Sequence, residues 1–239
     1  QARDEGIVLH SLCGDMAERA EIDKLVHYFK EQYGGCDVLV NNLGIRMRQG
    51  WDAFDFMQMQ TMLDSNLLAP MYLSQQMAQL MCKKNTPSQS QNMTNAQEAQ
   101  LGSSAVSSAK ERLKGGSMGR SKGRIISISS VAGPIARLGD AVYPITKSAI
   151  SAMTRSLAVH YAQQGICCNA ISPGAFATES NASLAADPIK GTHMSQRIPM
   201  QRWGQMEEIA GLAVFLASDL SSYLTGQVIA VDGGLSVLF

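Results

Sequence analysis

Tyr143 and Lys147 stand four residues apart in Ala-Val-Tyr-Pro-Ile-Thr-Lys-Ser-Ala, and Ser130 lies thirteen residues upstream in Ile-Ser-Ile-Ser-Ser-Val-Ala-Gly. Residues i and i+4 share one face of a helix, so a phenol and an ammonium at this interval project into one volume. A nearby cation favours the phenolate and draws a tyrosine pKa from ~10 toward working pH, where the group can act as a general acid or base. Ser130 follows Ile125, Ile126 and Ile128, a β-branched run that reads as a buried strand. Its hydroxyl would leave the C-terminal end of that strand, the end where ligands sit in open parallel α/β sheets. A lone Tyr-x-x-x-Lys is usually a surface pair and a lone Ser-Ser a turn, but here both occur with further features at consistent positions.

Those features carry a resemblance to the short-chain dehydrogenase/reductase family, running from about Ile7 to the C-terminus. Asn41-Asn42-Leu43-Gly44 is similar to the family's Asn-Asn-Ala-Gly segment, and Asn66 falls at its helix asparagine. Ser130, Tyr143 and Lys147 complete its catalytic group. Pro173-Gly174 with Thr178 resembles the segment at the nicotinamide, and Thr225-Gly226 through Val231-Asp232-Gly233-Gly234 resembles the closing strand.

The resemblance implies hydride transfer between a nicotinamide, of NADP or NAD, and a ketone or secondary alcohol. Tyr143 would exchange the proton, Lys147 would lower its pKa and hold ribose hydroxyls, Ser130 would place the substrate oxygen, and Asn66 would hold a water linking Lys147 to solvent. The cofactor set it implies is Asp15 near the adenine, Asn41 on the adenosine side, Leu43, Gly44, Tyr143, Lys147, Pro173, Gly174 and Thr178. It also implies a homo-oligomer, a tetramer, packed through helices 52–82 and 142–164. The run Arg197 to Ile209 resembles a broad branch that includes sugar-acid dehydrogenases and 3-oxoacyl-carrier-protein reductases, without choosing among them. A cofactor-free scaffold subunit is the reading from a different class, and retention of the four-residue group argues against it.

The elements around these residues alternate. Strands are expected at Ile7–Leu12, 38–40, 124–128, 166–171 and 227–231, and helices at Glu18–Tyr33, 52–82, 142–164 and 205–217. That pattern predicts a doubly wound parallel sheet of Rossmann type, α/β/α in three layers and one domain over residues 1–239. Residues 175–199, broken by Pro188 and Pro199, read as a lid over the substrate. Pro144 is acceptable in the first turn of a helix, and a helix that started well before Tyr143 would kink there. Leu43 replaces a small residue beside the cofactor and would tighten the pocket.

Two departures from the family stand out. The chain has no Gly-rich turn at its front, so its first βαβ unit is expected to be absent from the sequence as given, which would leave apolar faces of the remaining strands open. A polar insertion, 84–123, enters at the N-terminal end of a parallel strand, opposite the ligand crevice, and reads as a flexible linker with one possible helix at Ser104–Lys114.

Composition narrows the rest. Lys and Arg total 20, as do Asp and Glu, over 239 residues, and no basic stripe interleaved with aromatics points to nucleic acid or to an anionic membrane. No apolar run of ~18 residues suggests a membrane span. The cysteines, Cys13, Cys36, Cys82, Cys167 and Cys168, are odd in number, and neither they nor the four histidines have metal-ligand spacing. They read as free thiols of an intracellular, cytoplasmic protein, with organelle targeting left open and no metal site.

Overall fold

The computed structural model describes residues 8–84, 122–135 and 138–238. Its centre is a parallel sheet in the spatial order β1 (Val38–Asn41), β2 (Gly123–Ile128), β3 (Ile166–Pro173), β4 (Val228–Val231). Leu39 pairs with Ile125 and Ile125 with Cys168, while Ile126 pairs with Asn169 and Ile171 with Ile229. Successive residues of a strand face opposite sides, which divides the core in two. Ile125 and Cys168 pack with α1 (Arg19–Tyr33), α3 (Ala69–Lys84) and α4 (Tyr143–Tyr161). Ile126 and Ile171 pack on the other side against Ile209, Leu212 and Leu216 of α7 (Glu207–Ala217). Three layers result, as the alternating pattern predicts.

Local chemistry sets the helix ends. Gly34, in the left-handed region at φ 67°, closes α1 by donating its N–H to the Lys30 carbonyl. Asp55 and Gln58 form a capping box that starts α2 (Phe56–Leu63). Helix α4 begins at Tyr143, so Pro144 falls in its first turn, where a missing N–H costs nothing. Between β3 and α7 the chain makes two short helices, α5 (Ala182–Ala186) and α6 (Lys190–Gln196), with Pro188 in the break between them.

Two expectations are corrected. The run 8–12 forms no strand: Val8 and Leu9 are 75% and 74% exposed. A strand needs a ladder partner to satisfy its backbone, and among the described residues β1 pairs only with β2. Val38 and Val40 on this edge strand stay 38% and 49% exposed, the open apolar face anticipated above. The expected single helix over 52–82 is interrupted by a π-helical turn, Asp64–Leu68, with Asn66 at its middle. Pro70 supplies the reason: an α-helix would need its N–H to bond the Asn66 carbonyl, and proline has none. The possible helix at 104–114 lies outside the described residues.

Candidate active site

The π turn aims Asn66, fully buried, at the loop after β1. Its Oδ1 accepts from the Ile45 N–H at 2.7 Å, and its Nδ2 donates to the Ile45 carbonyl at 2.8 Å and to Thr146 Oγ1 at 3.1 Å. Thr146 in turn donates to the Tyr143 carbonyl at 2.8 Å. One amide therefore joins the β1 loop to the first turn of α4.

The end of β2 is tied to the same helix. Ser129 Oγ donates to the Lys147 carbonyl at 2.9 Å, and Lys147 Nζ donates to the Ile128 carbonyl at 2.8 Å. An ammonium has three donors, so this buried one keeps two for a ligand. Burial pulls the Lys147 pKa down to about 8. Tyr143 is moved upward, first by burial and also by Asp140, while Arg46, Ser130 and Arg48 act against that rise. Ser130 Oγ accepts from the Ala132 N–H at 3.1 Å, which leaves its hydroxyl proton to donate.

The residues at the rim fit the reactive end of a nicotinamide dinucleotide. A Cβ on Gly44 would lie 3.3 Å from Lys147 Nζ and 3.4 Å from Asn66 Oδ1, so glycine keeps the backbone low beside the free ammonium donors. Asn41 Oδ1 is buried with no partner among the described residues, while its Nδ2 donates to Ser74 Oγ at 2.8 Å. Gly174 lines a cavity of about 250 Å³ that also touches Ser130. A Cβ there would come within 2.6 Å of Asp232 Cβ, so close packing on the end of β4 already requires glycine. Pro173 ends β3, and Thr178 opens the turn that leads to α5.

Two cofactor candidates sit differently from expectation. Leu43 packs against the apolar cluster beneath α1 and α3 instead of tightening the pocket. Asp15 is exposed and closes the turn before α1 by accepting from the Ala17 N–H at 2.9 Å.

Several site residues escape the sequence reading. Arg46 and Arg48 leave the β1 loop for the cavity, joined there by Arg197. Arg46 pairs with the buried Asp140 and lies 4.6 Å from the centroid of the Tyr143 ring. Arg48 donates to Asn181 Oδ1 at 2.9 Å, and Trp203 Nε1 to the Gly191 carbonyl at 3.2 Å, tying the lid down. The signal available was Arg-x-Arg two residues past Gly44, and an aspartate three before Tyr143.

At the C-terminal edge of the parallel sheet, Ser130 after β2 thus stands beside Tyr143 and the buried Lys147 of α4. Residues 1–89 match the short chain dehydrogenase model, and residues 89–236 match the enoyl-(acyl carrier protein) reductase model. The chain is 30% identical to gluconate 5-dehydrogenase of Gluconobacter oxydans over 98% of its length and 77% of that protein's. It is 31% identical to 3-oxoacyl-[acyl-carrier-protein] reductase of Synechocystis, covering 92% of this chain and 73% of the relative. A crystal structure of gluconate 5-dehydrogenase from Burkholderia cenocepacia, in complex with NADP and tartrate, superposes with a TM-score of 0.79 at 31% identity, over 99% of this chain and 79% of that one. The chain belongs to the short-chain dehydrogenase/reductase family. It is an NAD(P)-dependent oxidoreductase that interconverts a ketone and a secondary alcohol by hydride transfer.

Proposed function

We propose that the substrate is a small hydroxy acid or its keto acid, with Arg48 and Arg197 receiving its carboxylate. The observation that carries this is the cavity beside Ser130. It holds three arginines, and no Asp or Glu is among its described lining residues. Asp140 pairs with Arg46, the lining is basic, and guanidinium forks match a carboxylate. The names of relatives point the same way, since gluconate and tartrate both carry carboxylates.

In this reading the cofactor supplies or accepts the hydride. Tyr143 gives its phenolic proton to the substrate oxygen as the carbonyl becomes an alcohol, and takes it back in the reverse direction. Ser130 donates its hydroxyl proton to the same oxygen and orients it. Lys147 turns its two remaining donors to the cofactor's ribose, and Asn66 holds the β1 loop and α4 in register. Gly44, Pro173, Gly174 and Thr178 would hold the nicotinamide side of the cofactor, and Asn41, Leu43 and Asp15 its adenosine side.

The test compares carboxylate-bearing ketones with their neutral amide analogues, following cofactor oxidation by the full chain. A tenfold or greater preference in kcat/KM for the acids, lost in Arg48→Met, is the expected result. Equal turnover of acid and amide would exclude the arginine role.

The groove between α3 and α4, lined by Leu68, Met71, Ala149, Met153 and Leu157 and about 890 Å³ in volume, supports self-association. Leu68 and Met71 are 53% and 43% exposed there, an apolar patch suited to a second copy and to a tetramer. Sedimentation returning a monomer at micromolar concentration would exclude it.

A further inference from the structure

We propose that Arg46, clamped by Asp140, is a positioning residue that supports the charge of the Tyr143 phenolate alongside Lys147. The inference rests on Tyr143 being the acid/base. The guanidinium carbon of Arg46 lies 4.6 Å from the Tyr143 ring centroid, nearer than Lys147 Nζ at 5.7 Å. The two cations also differ in persistence. Lys147 is buried, bonded to the Ile128 carbonyl, and loses its proton near pH 8. Arginine stays protonated throughout the range in which a tyrosine ionises. As pH rises toward the value at which Tyr143 must serve as a base, the Lys147 charge fades.

The pair has no evident purpose in stability. Asp140 is 2% exposed and Arg46 26% at their side chains. Asp140 Oδ1 and Arg46 Nε, both buried, have no hydrogen-bond partner among the described residues. The desolvation of an ion pair with unfilled bonds offsets much of its attraction. What the pair does achieve is placement: Asp140 lies three residues before Tyr143, so the anchor of the cation is built into the approach to α4.

The charged and titratable groups acting on Tyr143 come from every neighbouring element. Arg46 and Arg48 come from the β1 loop, Ser130 from the β2 loop, Asp140 from the approach to α4 and Lys147 from α4 itself. Arg46 is the largest influence favouring the phenolate, and Asp140 opposes it. Removing Arg46 alone therefore takes away the cation and exposes the phenol to an uncompensated carboxylate. Removing both takes away the opposing charge as well.

The experiment measures kcat/KM for alcohol oxidation against pH in the full-length enzyme and in Arg46→Met, Arg46→Lys and Arg46→Met/Asp140→Asn, with Tyr143→Phe as control. In Arg46→Met the rising limb is expected to move up by about one pH unit, a tenfold loss at a fixed pH on that limb. Arg46→Lys restores part of the shift, and the double variant shifts less than the single one because its neutral pair leaves no bare carboxylate. The double variant also keeps the test open should Arg46→Met fold poorly. A limb that stays in place while KM for the hydroxy acid rises would overturn the proposal and make Arg46 a substrate contact. A double variant shifted as far as the single one would overturn the role of Asp140. Near-normal turnover by Tyr143→Phe would instead refute the acid/base assignment, which separates the two failures.

Discussion

The two ends of the sheet differ in the balance of bonds that hold them: the N-terminal end has a buried polar bridge, Arg124 to the Ser218 carbonyl at 2.9 Å, amid apolar packing, and the C-terminal rim has several. At the C-terminal rim, side chains bridge segments far apart in sequence: Asn66 to Ile45 and Thr146, Ser129 to the Lys147 carbonyl, and Lys147 to the Ile128 carbonyl. At the N-terminal end, Met81 of α3 lies over Gly123, so closely that a Cβ there would come within 2.5 Å of its sulfur, and the Lys122 N–H donates to the Gly165 carbonyl at 2.7 Å. Directional bonds to buried polar groups fix atoms in place, and removing one partner leaves another unsatisfied. Apolar contact holds layers together while tolerating change in what connects them. The rim should accordingly be sensitive to single atoms and the far end insensitive to many residues.

The largest effect expected at the rim is on rate. Tyr143→Phe deletes one oxygen, and general acid–base catalysis contributes about 10²–10⁴-fold. Turnover should fall by that factor while cofactor titration by fluorescence stays near normal, because Lys147 keeps its free donors. Asn66→Ala strikes the scaffold instead. It removes three hydrogen bonds, two to the Ile45 backbone and one to Thr146, at about 1 kcal/mol each. For a total near 3 kcal/mol the melting temperature should drop by roughly 6–12 °C. Calorimetry checks the fall, and a melting temperature within a degree of wild type would show that the β1 loop does not depend on this amide.

A subtler mark of the rim is its pH dependence. Lys147 titrates near 8 in the folded protein, against its ordinary value of 10.5. Between those values the unfolded chain binds a proton that the folded chain does not, so this residue makes stability rise with pH across that window. The urea midpoint of wild type relative to Lys147→Met should therefore increase between pH 8 and 10. A constant difference would mean that Lys147 is not desolvated.

The contrast between the ends also explains what the sequence made readable. The Tyr143–Lys147 interval, the strand before Ser130 and the layered alternation were legible because periodicity and spacing are local properties. Asn66 was legible as a position but not as a geometry, since the π turn depends on Pro70 withholding an N–H from a helix that otherwise reads as continuous. The run 8–12 has strand composition and no strand, because pairing is decided by neighbours and not by propensity. Arg46 and Asp140 are 94 residues apart and meet only through the fold, so nothing in either local sequence announces the pair.

The smallest effect is expected from the largest change, deletion of most of 86–121. Helix α3 ends at Lys84 and β2 begins at Gly123, with Met81 already packed on Gly123. A short connection can thus join ends that are held close. Loop closure changes by only ~0.6 kcal/mol per doubling of length, so shortening should leave the melting temperature within a few degrees of wild type. Turnover should also be unchanged, because these flanks meet the N-terminal end of β2, whereas Ser130 follows its C-terminal end. The measurement is a paired melt and steady-state assay on one shortened variant. Loss of turnover with the melt intact would mean that the segment reaches a catalytic rim, and the insensitivity of the far end would then hold for its packing but not for its sequence.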